Sequence, residues 1–261
     1  MIKNKTYTAE HTRYYDLLYK DKNYTAEADY VSQYMERYGQ SGISSILELG
    51  CGTGLHAALL AGKKYVVHGI DRSKDMIEGA QLRKNDLLRD ISTRLSFEQS
   101  DLRFYRNGLK YDAVVSLFHV MSFQTSNEDL FAAFQTAKAH LKYHGLFIFD
   151  CWYGPAVLKD PPVVRVKRME DDDVIVMRIA EPTVHPNENC VDVNYTVWIR
   201  DKQTAKVQEV REIHKMRYLF KPEIEHMSSL SGLSLIAAQE WLSGNQLDSN
   251  TWYGCFIAEN R

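Results

Sequence analysis

The segment Ile46-Leu47-Glu48-Leu49-Gly50-Cys51-Gly52-Thr53-Gly54 constrains this chain more than any other. An apolar strand runs directly into glycines at every second position, and a helix opens at Leu55. Glycines at such a place let the backbone turn sharply and approach a ligand closely, with the first N–H groups of the helix pointing at it. The next apolar run ends in a second acid, Gly69-Ile70-Asp71, and 71 − 50 = 21 residues separate it from the first glycine. That spacing puts a carboxylate on ribose hydroxyls in a nucleotide-binding βαβ unit. A dinucleotide fingerprint of the G-x-G-x-x-G type would need glycine where Leu55 stands.

Short apolar runs at 45–49, 65–70, 95–99, 112–118 and 145–150 alternate with helix-like patterns. Near-continuous apolar strands separated by helices predict a parallel sheet covered on both faces. One helix is expected to start at Ser126, with Glu128 and Asp129 in its first turn and Leu130, Phe131, Phe134, Ala137 and Leu141 as its apolar stripe. Ahead of the first strand, two tyrosine-rich helices are predicted, capped by Thr8 and Thr25, with Gly39 and Gly42 stopping the second. Beyond Asp150 the runs at 163–168, 174–180, 191–200 and 206–220 read as consecutive strands without helices between them. Val191, Val193, Tyr195, Val197 and Ile199 share one face of the third. Pro222 opens a helix ending at Gly232, and strands at 233–242 and 252–259 close the chain. The expected class is α/β: a doubly wound, mostly parallel sheet with N-terminal helices and an inserted antiparallel β-sheet. Residues 1–154 would hold the helices and the ligand-binding core, 155–220 the insertion, and 221–261 the last helix and strands of the core.

A net charge of −2 and a charged fraction of 25% give no bulk electrostatic grip on nucleic acid or an anionic membrane. Cys51, Cys151, Cys190 and Cys255 form no C-x-x-C pair, and residues 1–10 lack the apolar core of a secretory signal. Buried thiols in the cytoplasm are the expectation. The run Glu170-Asp171-Asp172-Asp173 lacks calcium-loop spacing and reads as a solvated hairpin turn. No histidine or cysteine pattern with zinc spacing, nucleophile elbow or phosphate loop is present, so no metal is expected.

Later segments extend the glycine-turn pattern in order: Ser73-Lys74-Asp75-Met76-Ile77 after Asp71, Ser100-Asp101-Leu102 after the third strand, Tyr111-Asp112-Ala113-Val114-Val115-Ser116 as the fourth, and Leu141-Lys142-Tyr143-His144-Gly145-Leu146 into the fifth. The set resembles the class I S-adenosylmethionine-dependent methyltransferases, whose fold is Rossmann-like. Tyr143 and His144 depart from the family's usual Leu-Lys-Pro-Gly-Gly, which implies a changed turn away from the cofactor. The resemblance implies S-adenosylmethionine as cofactor and S-adenosylhomocysteine as product. It places Glu48, Gly50, Cys51, Gly52 and Gly54 around the cofactor, Asp71 and Arg72 at the ribose, Met76, Asp101 and Leu102 at the adenine, and Leu117 beyond the fourth strand. A narrower resemblance lies in Arg13-Tyr14-Tyr15-Asp16-Leu17-Leu18-Tyr19 and Lys22-Asn23-Tyr24-Thr25-Ala26-Glu27-Ala28, which look like the opening of small-molecule N-methyltransferases. These include enzymes that dimethylate nucleotide-linked amino sugars and relatives of glycine N-methyltransferase. It implies that Tyr15 and Tyr24 lie over the methionine end of the cofactor.

On the acceptor side, His119 follows the fourth strand at the ligand-bearing edge of an open α/β sheet, where it would orient the acceptor or take its proton, with Tyr15 or a water chain as the alternative base. Trp152 and Tyr153 would wall the acceptor pocket, and His214 and Arg217 on the inserted sheet would meet an acceptor phosphate or carboxylate. The segment Ser116-Leu117-Phe118-His119 departs from the Asp/Asn-Pro-Pro-Tyr/Phe of enzymes that methylate nucleobases. A small-molecule amine is therefore the expected acceptor, with no nucleic acid or membrane partner and a homodimer as the assembly. The open alternatives are an O-methyl acceptor, a nicotinamide-dependent oxidoreductase and a non-catalytic cofactor-binding subunit.

Overall fold

The structure, a computed structural model, describes residues 9–40 and 42–261. Two helices come first, α1 (Ala9–Leu18) and α2 (Tyr24–Tyr38). The expected cap Thr8 lies outside the described residues. Asn23, not Thr25, caps α2: its Oδ1 accepts the N–H of Ala26 at 3.0 Å. Tyr24 packs edge-on against His56, so the helix begins one residue before Thr25.

The core follows as β1 (Ser45–Leu49), α3 (Leu55–Gly62), β2 (Val66–Asp71), α4 (Lys74–Asp86), the short α5 (Arg89–Ser92), β3 (Leu95–Gln99), β4 (Tyr111–Ser116), α6 (Asn127–His140) and β5 (Leu141–Trp152). Ser126 caps α6 as its sequence predicts, accepting the N–H of Asp129 at 3.0 Å. A single turn, α7 (Gly154–Lys159), then separates β5 from the second sheet, a helix that the run of strand-like segments did not reveal. That sheet is β6 (Arg165–Glu170), β7 (Val174–His185), β8 (Cys190–Asp201) and β9 (Val207–Arg217), antiparallel in chain order. The chain ends with α8 (Lys221–Leu230), β10 (Leu233–Glu240) and β11 (Tyr253–Asn260).

The main sheet has the order β10-β11-β5-β4-β1-β2-β3. Pairing is parallel from β5 through β3, and β11 runs antiparallel to both its neighbours. Successive residues of a strand face opposite sides, so each central strand feeds two cores. Leu47, Leu49, Val114, Phe147 and Phe149 pack with Leu130 and Phe134 of α6 on one side. Ile46, Ala113, Val115, Leu146 and Ile148 pack with Val31 and Met35 of α2 and with Ala57 and Leu60 of α3 on the other. β1 pairs with β2 on one edge and β4 on the other, which opens a cleft between their carboxyl ends, the usual ligand position in such sheets. The departure at Tyr143-His144 lies at the opposite, amino end of β5, where His144 takes φ 60° and its Nδ1 meets Glu259 at 2.9 Å.

The second sheet lays Val174, Val176, Val197, Ile199 and Val210 against Tyr14 and Leu18 of α1. Its inner face is thereby turned toward the N-terminal helix and the cleft. All four cysteines are buried free thiols. Among the described residues, no helix is long and apolar enough to cross a membrane.

Candidate active site

The glycine turn shapes the site floor. Gly50, Gly52 and Gly54 take φ values of 76°, 53° and 75°, the left-handed region that a Cβ disfavours. A Cβ on Gly50 would stand 2.6 Å from Val120, and one on Gly54 would stand 2.8 Å from Phe97. The turn is held from below by Asp71. Its Oδ2 accepts the N–H of Gly52 at 3.0 Å and its Oδ1 that of Ser73 at 2.8 Å. Burial pushes the Asp71 carboxyl up from its ordinary value, and these two donors pull it back.

A cavity of about 260 Å³ opens over this turn. Every donor-side residue named from the sequence lines it except Glu48 and Gly54: Tyr15, Tyr24, Gly50, Cys51, Gly52, Asp71, Arg72, Met76, Asp101, Leu102 and Leu117. Gly54 instead forms the left-handed N-cap of α3. Glu48 lies beneath the floor, 1% exposed, with Oε1 4.0 Å from His56 Nδ1 and Oε2 without a hydrogen-bond partner. Sequence reasoning missed Thr53, His56, Arg103, Phe118, Phe123 and Asp129 in the lining. Of these, His56 carried a signal, as the second residue of the helix that the glycine turn opens. Asp101, expected to be open to a ligand, is engaged by Arg103: Nε lies 2.9 Å from Oδ1 and Nη2 2.6 Å from Oδ2. That contact, above all, holds its carboxyl below the ordinary value.

Burial, and next the charge of Asp71, push the Glu48 carboxyl up to about 8. The folded chain therefore keeps a proton that the unfolded chain releases near 4.5, and stability is lost as pH rises from there to about 8. Glu48→Gln removes this loss. Its stability relative to wild type should rise between pH 5 and pH 8 by up to roughly 4 kcal/mol in urea unfolding. A difference that stays flat with pH would show that Glu48 is ionised in the fold.

Tyr24 is set in place by buried charges. Lys22 pairs with Glu27 and lies 4.3 Å from the ring centroids of both Tyr24 and Phe118. Glu27 also meets His56 Nε2 at 2.7 Å and accepts from Trp241 Nε1 at 3.3 Å. Burial opposes the Glu27 charge, but His56 and Lys22 outweigh it and hold its carboxyl at about 2. The Tyr24 hydroxyl is buried without a hydrogen-bond partner. An orphaned polar atom on a glycine-floored cavity with carboxylates at 71 and 101 fits an adenosyl group carrying a polar amino-acid tail.

The residues expected on the acceptor side begin where β4 ends. Phe118 and His119 adopt consecutive left-handed conformations, φ 64° and 62°, which cost on the order of 1–3 kcal/mol each without support. Asp150, at the carboxyl end of β5 and fully buried, supplies that support. It accepts the His119 backbone N–H at 3.1 Å, and its Oδ2 lies 2.5 Å from His119 Nδ1, a close contact off the line of a hydrogen bond. The His119 ring stacks on Tyr253 at 4.5 Å. His119 does not line this cavity, whereas its neighbour Phe118 does.

The other acceptor-side residues divide. His214 stands on the inner face of the second sheet, 3.1 Å from Glu212, with Tyr195 and Phe123 against its ring at 4.8 and 5.7 Å. Arg217 is drawn away to Glu223, Asn127 and the Thr125 carbonyl, where it braces the start of α6. Trp152 packs on Trp252, and Tyr153 on Phe256 and Leu219, so both stand at a structural corner outside the cavity lining. Among the described residues, no group of three or more histidine, cysteine or acidic side chains is placed to hold a metal ion.

Comparison with known proteins bears on this geometry. Residues 46–145 match the family described as a methyltransferase domain. These residues carry the glycine turn, Asp71, Asp101 and His119. The chain is a class I S-adenosylmethionine-dependent methyltransferase. The dTDP-3-amino-3,4,6-trideoxy-alpha-D-glucopyranose N,N-dimethyltransferase of Streptomyces venezuelae is 28% identical over 240 residues, 91% of this chain and 94% of that one. The dTDP-3-amino-3,6-dideoxy-alpha-D-glucopyranose N,N-dimethyltransferase of Streptomyces fradiae is 25% identical, covering 88% and 86%. The solved structure of Streptomyces venezuelae DesVI superposes with a TM-score of 0.78 at 24% identity, over 97% of this enzyme and 99% of that chain. The shared fold therefore includes the second sheet as well as the donor core.

Proposed function

We propose that this methyltransferase acts on an amine of a nucleotide-linked amino sugar, with His119 taking the proton. The observation that carries the reading is the extent of the likeness. Similarity to two dTDP-amino-sugar N,N-dimethyltransferases runs over 91% and 88% of the chain, through the acceptor-side sheet and beyond the donor domain. S-adenosylmethionine supplies an electrophilic methyl on a sulfonium and leaves as neutral S-adenosylhomocysteine. Tyr15 and Tyr24 line the cavity, and aromatic groups there suit a cation. An acceptor amine attacks only when neutral, and His119, with Asp150 Oδ2 2.5 Å from its Nδ1, is the group placed to take the proton. Nδ1 faces Asp150, which leaves Nε2 for the acceptor. Phe118 and Phe123, at the boundary between donor cavity and acceptor side, shield the reacting atoms from water. Holding the two partners in line supplies on the order of 7–11 kcal/mol of barrier lowering.

The test incubates enzyme and S-adenosylmethionine with a thymidine-diphosphate amino sugar and, in parallel, with the analogue bearing hydroxyl in place of the amine. Mass spectrometry should find one or two methyl groups on the amine and none on the analogue. Methylation of the hydroxyl analogue would favour an O-methyl acceptor. Donor binding without transfer to either compound would favour a non-catalytic role.

A further inference from the structure

We propose that Tyr253 is a positioning residue for methyl transfer: its ring fixes the plane of the His119 imidazole and so aims Nε2. The assignment rests on the reading of His119 as the base. Three adjacent strands of the main sheet, β11, β5 and β4, bring the group together. Tyr253 opens β11, Asp150 lies near the carboxyl end of β5, and His119 follows β4. Because β11 runs antiparallel to β5, its amino end meets the carboxyl ends of β5 and β4 at one edge of the sheet. Tyr253 pairs with Trp152, and Cys255 with Asp150. The Tyr253 carbonyl also accepts the Trp241 N–H at 2.8 Å. Its backbone is therefore held by β5 on one side and by the residue that follows β10 on the other.

A histidine ring needs this support. Its second torsion is broad, so the rotamer alone does not set the plane of the ring. Asp150 binds the His119 backbone N–H, but its contact with Nδ1 lies off the line of a hydrogen bond. That contact turns one edge of the imidazole toward Asp150 and leaves its tilt open. Tyr253 closes the tilt: the two ring centroids lie 4.5 Å apart with planes 14° from parallel. Phe118 touches the same imidazole at 5.3 Å but is tilted by 55°, so it sets no common plane. With the plane given by Tyr253 and one edge given to Asp150, Nε2 has a single direction. Tyr253 is 40% exposed, so its side chain serves the imidazole more than the core. The contact uses the face of the ring and makes no demand on the hydroxyl. A misplacement of about 1 Å in a reacting group can cost on the order of a hundredfold in rate.

Steady-state kinetics with S-adenosylmethionine and a thymidine-diphosphate amino sugar tests this in Tyr253→Leu, Tyr253→Phe, His119→Asn and Tyr253→Leu combined with His119→Asn. Tyr253→Leu should lower kcat at least tenfold, with both KM values within threefold of wild type and the fold intact by circular dichroism. Tyr253→Phe keeps the stack and should stay within twofold of wild type. In the His119→Asn background, Tyr253→Leu should change turnover less than twofold, because a residue that acts through the imidazole has nothing left to position. A second readout needs no acceptor. The His119 ring resonances, identified by their absence from His119→Asn, should move in Tyr253→Leu and stay in place in Tyr253→Phe. Wild-type kcat in Tyr253→Leu, an equal loss in the His119→Asn background, a tenfold loss in Tyr253→Phe, or ring resonances unmoved in Tyr253→Leu would overturn the positioning role. Wild-type turnover in His119→Asn would instead overturn the base reading, and the positioning role with it.

Discussion

Asp71→Ala is expected to weaken S-adenosylhomocysteine binding at least tenfold while the protein stays folded. The effect has two sources. A carboxylate on ribose hydroxyls makes charge-assisted hydrogen bonds, each worth roughly 1.5–3 kcal/mol. The same carboxylate pins the N–H groups of Gly52 and Ser73, so its loss also loosens the turn on which the ligand rests. Asp71→Asn keeps one acceptor oxygen and should fall between alanine and wild type. Titration calorimetry gives the affinities and circular dichroism the fold. Unchanged affinity in Asp71→Ala would mean that the nucleotide lies elsewhere.

The second large effect belongs to the His119 corner. His119→Asn should lower turnover by roughly a hundredfold or more, the usual scale for losing a general base. Asparagine is the better probe than alanine, because it tolerates the left-handed backbone that His119 adopts at φ 62°. Asp150→Asn should lower turnover less, since the ring stays stacked on Tyr253 and only the charge beside Nδ1 is lost. Both variants should bind S-adenosylhomocysteine within threefold of wild type, because neither residue lines the donor cavity. If His119→Asn unfolds the protein or abolishes donor binding, the histidine is a packing residue.

The floor of the cavity is legible in the sequence because its determinants are local. A strand, a glycine turn and a helix occupy consecutive residues, and the carboxylate of the next strand falls at a fixed distance along the βαβ unit. The expected acceptor side depends on contacts between distant segments. Asp150 meets His119 across 31 residues, and Lys167 meets Asp21 across 146. His214 and Arg217 were separable in principle: three residues apart on a strand, they face opposite sides, and only His214 points inward. The α7 turn was hidden because its six residues are too few to show helical periodicity. Gly154 opens it beneath Phe220, which would stand 2.5 Å from any Cβ there, a constraint set by the return of the chain after β9. Thr25 and Asn23 are both good capping residues, and the burial of Tyr24 against His56 decides between them.

The most direct measurement is the crystal structure of the ternary complex with S-adenosylhomocysteine and a thymidine-diphosphate amino sugar. The sulfur should lie in the cavity between Tyr15, Tyr24 and Leu117, with the ribose on Asp71 and the adenine beside Asp101. The acceptor nitrogen should face that sulfur, with His119 Nε2 at roughly 2.6–3.2 Å from the nitrogen or one water away. A nitrogen that points away from the sulfur, with His119 still closed on Tyr253 and touching no part of the acceptor, would contradict the assignment of this corner to methyl transfer.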